Sequence, residues 1–443
     1  MLRTFRIGGI HPPGNKRSAD QKIMPLAVPK QAIIPLSQHI GAPAEPVVQK
    51  GDRVKVGTLI AKTSGFVSAN IHSSVSGTVG KIGEVIDASG MQRPAIYIET
   101  EGDEWEDSID RSEALIKACN LSDKDIIDKV AAAGIVGLGG ATFPTQIKLS
   151  PPPGNKADLL IINAVECEPY LTSDHSLMLA KGEQIMVGTS ILMKAIRVSR
   201  AVIGIENNKP DAIARLSQLA AEYQGIEVMP LKVRYPQGGE KQLIDAVIRK
   251  QVKSGALPIS EGAVVQNVGT AFAVYEAVQK NKPLVERIVT VTGKNISKPS
   301  NLLVRIGTPL CELIEAAGGL PENTGKVIGG GPMMGRALVN TDVPITKGSS
   351  GILVLPKDEV RRKPAYDCIR CAKCVNVCPM GLNPSLLMSM TEFEKWEAAE
   401  NNCIVDCIEC GSCSYTCPAN RPLLDYIRFG KGKVMSIIRA RKS

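Results

Sequence analysis

The pattern of apolar and polar positions changes rhythm several times along the chain. From about Pro35 to Ile98, runs such as Val48–Ile60 and Val75–Ile82 alternate between Gly-Asp and Ser-Gly punctuation, which predicts short strands and turns in a small β module. Between Asp158 and Lys250, strand-like and helix-like segments alternate, the pattern of a parallel sheet covered by helices. Ala157–Val165, Arg200–Glu206 and Ile226–Val233 read as its strands. Ser176–Ile196 reads as one helix; another follows Asn208, which can cap it, with Pro210 near the first turn. A third region, Val285 to about Val343, opens on the strand-like Arg287–Gly293 and continues to Thr308–Gly319. Arg361, Arg362, Lys363 and Pro364 then form a charged, helix-breaking linker before a cysteine-rich end.

Length and composition narrow the picture. At 443 residues the chain is too long for one core, and 44% hydrophobic with 22% charged residues is ordinary for a globular protein. No apolar run approaches the length of a membrane span, and the first residues lack the apolar core and cleavage site of a secretory signal, so the expectation is a cytoplasmic protein. The net charge of +9 is spread widely but concentrates between Leu424 and Ser443, where Arg428, Lys431, Lys433, Arg439, Arg441 and Lys442 face the single acid Asp425. Such a tail suits an anionic membrane surface or an acidic partner subunit as well as simple solubility. No aromatic-interleaved basic stripe accompanies it, which argues against nucleic acid.

The 12 cysteines carry the strongest signal. Cys119, Cys167 and Cys311 are scattered and Cys403 stands slightly apart; Cys119 and Cys311 fall in apolar helical contexts and read as small core residues. The other eight form Cys368-x2-Cys371-x2-Cys374-x3-Cys378-Pro379 and Cys407-x2-Cys410-x2-Cys413-x3-Cys417-Pro418, each with bacterial ferredoxin spacing. Three thiolates two residues apart wrap one cubane, and the fourth leads to the neighbouring cluster. Cys368, Cys371, Cys374 and Cys417 are therefore assigned to one [4Fe-4S] cluster, and Cys407, Cys410, Cys413 and Cys378 to the other. Zinc also takes tetrahedral thiolates, but usually from two well-separated Cys-x2-Cys knuckles.

A glycine-rich loop, Gly134 to Lys148, lies ahead of the first core strand. Its backbone N–H groups and Lys148 suit phosphate, yet it is neither a clean dinucleotide fingerprint nor a Walker loop, and a tight structural turn explains it as well. Asn163–Asp174 follows the first core strand with acids at the carboxyl end, where α/β sheets bind ligands. Tyr235–Lys241 and Val264–Thr270 add a glycine-bearing turn and an amide-rich turn. Taken singly, Glu166 fits a capping acid, Glu168 a solvated one and Asn267 a helix cap.

The order and spacing of these four segments resemble the NADH-binding flavoprotein subunit of respiratory complex I. Over nearly the whole chain, the architecture resembles the RnfC family of the Rnf ion-translocating electron transport complex; the two-cluster ending separates it from the complex I flavoprotein. The resemblance implies an α/β multidomain fold: a barrel-sandwich-like β module over 1–105, a Rossmann-like flavin and nucleotide core over 110–282, a soluble-ligand-binding β-grasp (SLBB) module over 283–356 and a two-cluster ferredoxin domain over 357–443. The first module is similar to lipoyl and biotinyl domains, but its turn Thr63–Asn70 has no lysine to modify. The resemblance further implies non-covalent FMN at Gly137, Gly139, Gly140, Lys148, Asn163, Glu166, Tyr235, Gly238, Gln266, Asn267 and Thr270, with Phe143 stacked on NAD(H) and Glu168 and Glu240 in the dinucleotide site. This sequence departs from the pattern at Leu138, Val165, Gln266 and Gly239, which replace arginine, aspartate, asparagine and glutamate.

In function, the resemblance implies a peripheral subunit on the cytoplasmic side of the inner membrane. It would exchange electrons between ferredoxin and NAD through FMN and two [4Fe-4S] clusters, with ion transport left to other subunits. A flavin joins two-electron hydride chemistry to one-electron clusters, so no acid–base or nucleophile triad is required. Two alternatives share the pattern: a cobalamin reductase of bacterial microcompartments, and a non-catalytic electron wire whose core no longer binds nucleotide.

Overall fold

A computed structural model describes Leu2 to Arg441; Met1, Ser443 and Lys442 of the basic tail lie outside the described residues. The central sheet is parallel, in the order Ile226–Leu231, Ala201–Glu206, Leu159–Asn163, Ala263–Asn267. Its strands are apolar because both faces are covered. Ile203 and Leu160 face a large cluster with Ile185, Leu192 and Val274, while Val202 and Ile161 face Leu243, Ile244 and Val247.

Two details of the core differ from the sequence reading. The single helix expected over Ser176–Ile196 is two, Ser173–Ala180 and Gly182–Ala195, broken at Lys181 with φ −128° and ψ 30°. The second helix lies against Val268–Lys280 at a distance only glycine permits: a Cβ on Gly188 would stand 1.9 Å from the Ala271 carbonyl oxygen. Asn208 does not cap the helix Pro210–Ala220; Lys209 takes the cap position without a side-chain bond. The reason is Lys209 itself. Its ammonium is buried and satisfies itself on the Val165 carbonyl at 2.7 Å and on Asn208 Oδ1 at 3.0 Å, which occupies the would-be cap.

The N-terminal module folds from Gln31 to Thr100 as two small sheets around Ile34, Ile60, Ile71 and Ile98. The residues before these strands, which the expected module over 1–105 includes, reach other parts of the fold. Arg3 bridges Leu231, Ile10 bridges Tyr235, and Ile23–Pro25 pairs in parallel with Ser300–Arg305. That last pair belongs to a six-stranded sheet whose remaining strands include Glu286–Gly293, Thr324–Gly329 and Gly351–Pro356, packed on the helix Leu310–Ala316. Buried Lys347 pins three regions together, its Nζ donating to the carbonyls of Asn70 at 2.6 Å and Gly134 at 2.7 Å. The C-terminal region is helical, from Lys373–Asn376 to the long Leu423–Ala440, around Leu387, Ile404, Ile427 and Val434. Among the described residues no helix is long and apolar enough to cross a membrane.

Candidate functional site

The strand order of the central sheet reverses between Leu159–Asn163 and Ala263–Asn267, and the ends of such strands at a reversal are where open α/β sheets take ligands. Asn163 and Asn267 end these strands as register partners. Asn267 caps the helix Val268–Lys280 by accepting from Gly269 N at 2.8 Å, and its Nδ2 donates to Asp174 Oδ2 at 2.8 Å. Asn163 Nδ2 donates to the Gly238 carbonyl at 2.8 Å. The glycine-rich loop closes over this pair. A Cβ on Gly139 would meet Asn267 Nδ2 at 2.5 Å, whereas one on exposed Gly140 would meet nothing within 4 Å. Thr270 Oγ1 accepts from Leu138 N at 3.0 Å, and Phe143 anchors the loop by accepting from Gly137 N at 2.9 Å. At the same strand end, Gln266 is 2% exposed and its Nε2 has no partner. A buried donor without an acceptor is costly, and a flavin's ring or ribityl oxygens would supply one.

The charged residues at the mouth are already engaged with one another. Lys148 Nζ donates to Glu240 Oε1 at 2.6 Å and to the Val265 carbonyl at 3.2 Å. Glu166 accepts from Asp174 N at 2.7 Å and His175 N at 3.2 Å, capping the helix Ser173–Ala180. Glu168 is turned away from the mouth: Met333 N and Met334 N donate to its Oε1 at 2.6 and 3.1 Å, and burial raises its pKa against their pull. Tyr235, expected on the flavin, is 2% exposed and donates its hydroxyl to the Cys410 carbonyl at 2.8 Å. Its aromatic ring fills the space between the core and the cysteine region, beside Ile10, Cys167 and Met333.

Sequence reasoning missed three supports of this mouth. Lys16 Nζ donates to the carbonyls of Glu166, Glu168 and Leu171 at 2.9, 2.9 and 2.6 Å, and burial lowers its pKa. Arg287 Nη2 donates to the Leu138 carbonyl at 3.2 Å. Asp174 is pushed up to about 6, by burial first and by neighbouring Glu166 second. Lys16 follows a Pro-Pro-Gly-Asn turn, but nothing local shows where its amine lands.

The cysteine runs share one backbone device. Arg370 and Ala372 in the first, and Glu409 and Gly411 in the second, take left-handed φ of 54°, 57°, 58° and 76°. The same wrap therefore occurs at matching positions of both loops, curling each around a centre. Cys378, Cys407, Cys410 and Cys413 line one cavity with apolar Leu382, Leu387 and Ile427. Burial drives their thiols up, Cys407 to about 11 and Cys413 to about 12, with the neighbouring thiols adding to the rise. Thiols this weak need a cation to become thiolates. Glu409 N and Leu382 N already donate to the sulfurs of Cys407 and Cys378, each at 3.4 Å.

Among the described residues no three His, Cys, Asp or Glu side chains stand close enough to hold a single metal ion. The four cysteines line one cavity, and a [4Fe-4S] cluster takes one thiolate per iron. Of the other quartet, Cys374 and Cys417 pack together with Met388 and Tyr426, whereas Cys368 and Cys371 are exposed. Cys403 packs in the local apolar core, and Cys119 against the central one.

The order of domains and the two sites define a class: an iron–sulfur protein with an FMN-binding domain. Residues 4–103 match the RnfC barrel sandwich hybrid domain, 130–276 the Nuo51 FMN-binding domain, 288–337 the SLBB domain, and 365–381 with 406–420 a 4Fe-4S binding domain. The chain is 48% identical to the C subunit of the proton-translocating ferredoxin:NAD(+) oxidoreductase complex of Clostridium ljungdahlii, over 98% of this chain and 94% of that one. It is 45% identical to the Na(+)-translocating counterpart of Acetobacterium woodii, over 98% and 97%. With the C subunit of the ion-translocating oxidoreductase complex of Rhodobacter capsulatus the identity is 43%, over 98% and 84%. The chain belongs to the RnfC family, the C subunits of Rnf complexes. Among solved structures, an NAD+-reducing [NiFe]-hydrogenase in the H2-reduced state matches at a TM-score of 0.49 and 20% identity, over 71% of this chain and 62% of that one.

Proposed function

We propose that this chain is the subunit of an ion-translocating ferredoxin:NAD+ oxidoreductase complex that joins NAD(H) to one-electron carriers through FMN and two [4Fe-4S] clusters. It sits peripherally on the cytoplasmic side of the inner membrane, and other subunits carry the ion. Relatives matched over 94% and 97% of their own length bear this name, which favours it over a cobalamin reductase.

The observation that carries the reading is the contact of the two sites. The buried cysteine quartet lies directly behind the core, held by Tyr235 on Cys410 and by Gln242 Nε2, which donates to the Pro379 carbonyl at 3.1 Å. Bound FMN supplies the exchange between a hydride's two electrons and single electrons. The chain's own residues do the rest. Gly137, Gly139 and Gly140 admit the cofactor's close approach, Asn163, Gly238, Gln266, Asn267 and Thr270 offer it polar partners, and Lys148 supplies positive charge at the mouth. Glu166 fixes the loop beneath it. Phe143 and Glu240 frame the dinucleotide side, where Glu240 sets the position of Lys148 through their ion pair, while Glu168 is spent on the Met333 and Met334 amides. The apolar wall around Cys378, Cys407, Cys410 and Cys413 keeps water from the cluster nearer the core.

The test is direct. Anaerobically reconstituted protein is expected to hold about eight irons, to release FMN on denaturation and to reduce a dye with NADH. Protein that binds iron but no flavin, and is inert to NADH, overturns the assignment.

A further inference from the structure

The second quartet is walled in, but the first opens onto a distinctive surface. Every residue from Arg361 to Lys373 is exposed, and the stretch Arg361–Ala372 has no regular secondary structure. It carries Arg361, Arg362, Lys363, Arg370 and Lys373 against the single acid Asp367. Among the described residues only Arg362 of these cations has an ion-pair partner, Asp425 at 3.3 Å, and both side chains are so exposed that solvent screens the pair. In the midst of this charge lie apolar groups that a monomer gains nothing by exposing. Ile369, between Cys368 and Cys371, is 68% exposed, Tyr366 62% and Tyr415 54%. Tyr415 belongs to the helix Ser412–Thr416, which packs on Lys373–Asn376.

Resting on the proposed cluster assignment, we propose that this face is the docking surface for an acidic electron-transfer protein domain whose own redox centre lies close to its surface. Three properties meet here. The exposed thiols of Cys368 and Cys371 put the outer cluster at the protein boundary, so a partner's centre can approach it closely. The cationic rim draws and orients an acidic surface, and the small apolar centre gives it something to bury. A patch of this size suits the small, transient interfaces of electron-transfer encounters. An anionic bilayer would also be attracted to the charge, but it neither gives nor takes an electron and gains nothing from a cluster opened towards it. In each encounter one electron crosses: one centre is oxidised by one, the other is reduced by one, and no bond or proton moves.

The experiment uses the full-length, iron-loaded protein with two probes, a small acidic [4Fe-4S] ferredoxin and vesicles rich in anionic lipid. Association is read by surface plasmon resonance at several salt concentrations. The ferredoxin is expected to bind with an affinity that falls steeply with salt. R370E/K373E should weaken it by about 10-fold or more, and R361E/K363E should act in the same direction. The control K50E/K62E, an equal charge change on the exposed surface of the N-terminal module, should have little effect. Iron content and circular dichroism of each variant show that it is folded and loaded. Equal weakening by the control and the loop variants overturns the proposal, as does ferredoxin affinity unmoved by the loop variants. Binding to vesicles but not to the ferredoxin overturns it in favour of a membrane-facing surface. A protein that holds no iron refutes the cluster assignment, not the docking surface alone.

Discussion

The two cysteine runs have identical spacing, adopt left-handed backbone at the same two positions and each end in Cys-Pro, yet they occupy opposite environments. Cys410 and Cys413 are buried against the core; Cys368 and Cys371 face solvent. Local sequence dictates the wrap of each loop, because three thiolates two residues apart can meet one cubane only by that curl. Burial comes from what is packed around the loop. The N-terminal arm reaches the end of the first run, next to Cys378, the cysteine that run lends to the sheltered quartet, with Gly9 N donating to the Val377 carbonyl at 2.9 Å, and Tyr235 closes over Cys410. Among the described residues nothing comparable covers Cys368 and Cys371; just ahead of them Tyr366 N donates to the Ala419 carbonyl at 2.9 Å. One loop is built to shelter a centre and the other to present it.

The sharpest way to break this comparison is ligand removal. Cys410→Ala should cost roughly half the iron and also destabilise the fold by several kcal/mol, because the buried cavity then has an incomplete occupant; Cys371→Ala should lose iron with a much smaller fall in melting temperature. Equal thermal losses would show that the two environments do not matter. Next in size, Gly139→Ala forces a Cβ onto Asn267 and should lower flavin retention by about 10-fold, equivalent to about 1.4 kcal/mol, while leaving iron unchanged. Unchanged flavin content would remove the loop from the cofactor site.

A pH test isolates the buried thiols. In the iron-free protein the folded pKa of Cys407 and Cys413, about 11 and 12, stands above the unfolded value of 9.0, so the unfolded chain loses protons first as pH rises. Stability is therefore whole below pH 9 and falls above it, by at most about 1.4 kcal/mol per pH unit for each thiol, in urea titrations. Replacing both by Ser should flatten that slope. The smallest expected effect is Tyr235→Phe, which strands the Cys410 carbonyl and should cost about 1 kcal/mol, with a slower passage of electrons from NADH to the clusters read by stopped flow. An identical rate would make the contact merely structural.

Much of this was legible in the residues. The three core strands, the Asn267 cap and the eight cysteines all follow from local pattern, because a buried parallel strand, a helix start and a ferredoxin loop each need particular residues at short range. The loss of the Asn208 cap was not legible, since it depends on a partner far along the chain, the Val165 carbonyl that holds Lys209, and nothing in the local pattern marks the split at Lys181. The roles of Lys16, Arg287 and Glu168 were hidden for the same reason.

By itself, then, the sequence determined the groups on offer: which cysteines have ferredoxin spacing, which loop is rich in glycine, and where the core strands lie. Only the tertiary structure decided which quartet is sheltered, which acids are spent on caps and ion pairs, and which buried donors, Gln266 Nε2 among them, are left without a partner. The reason is physical. Spacing acts over a few bonds, whereas desolvation and the pairing of buried polar groups depend on residues brought together from hundreds of positions apart.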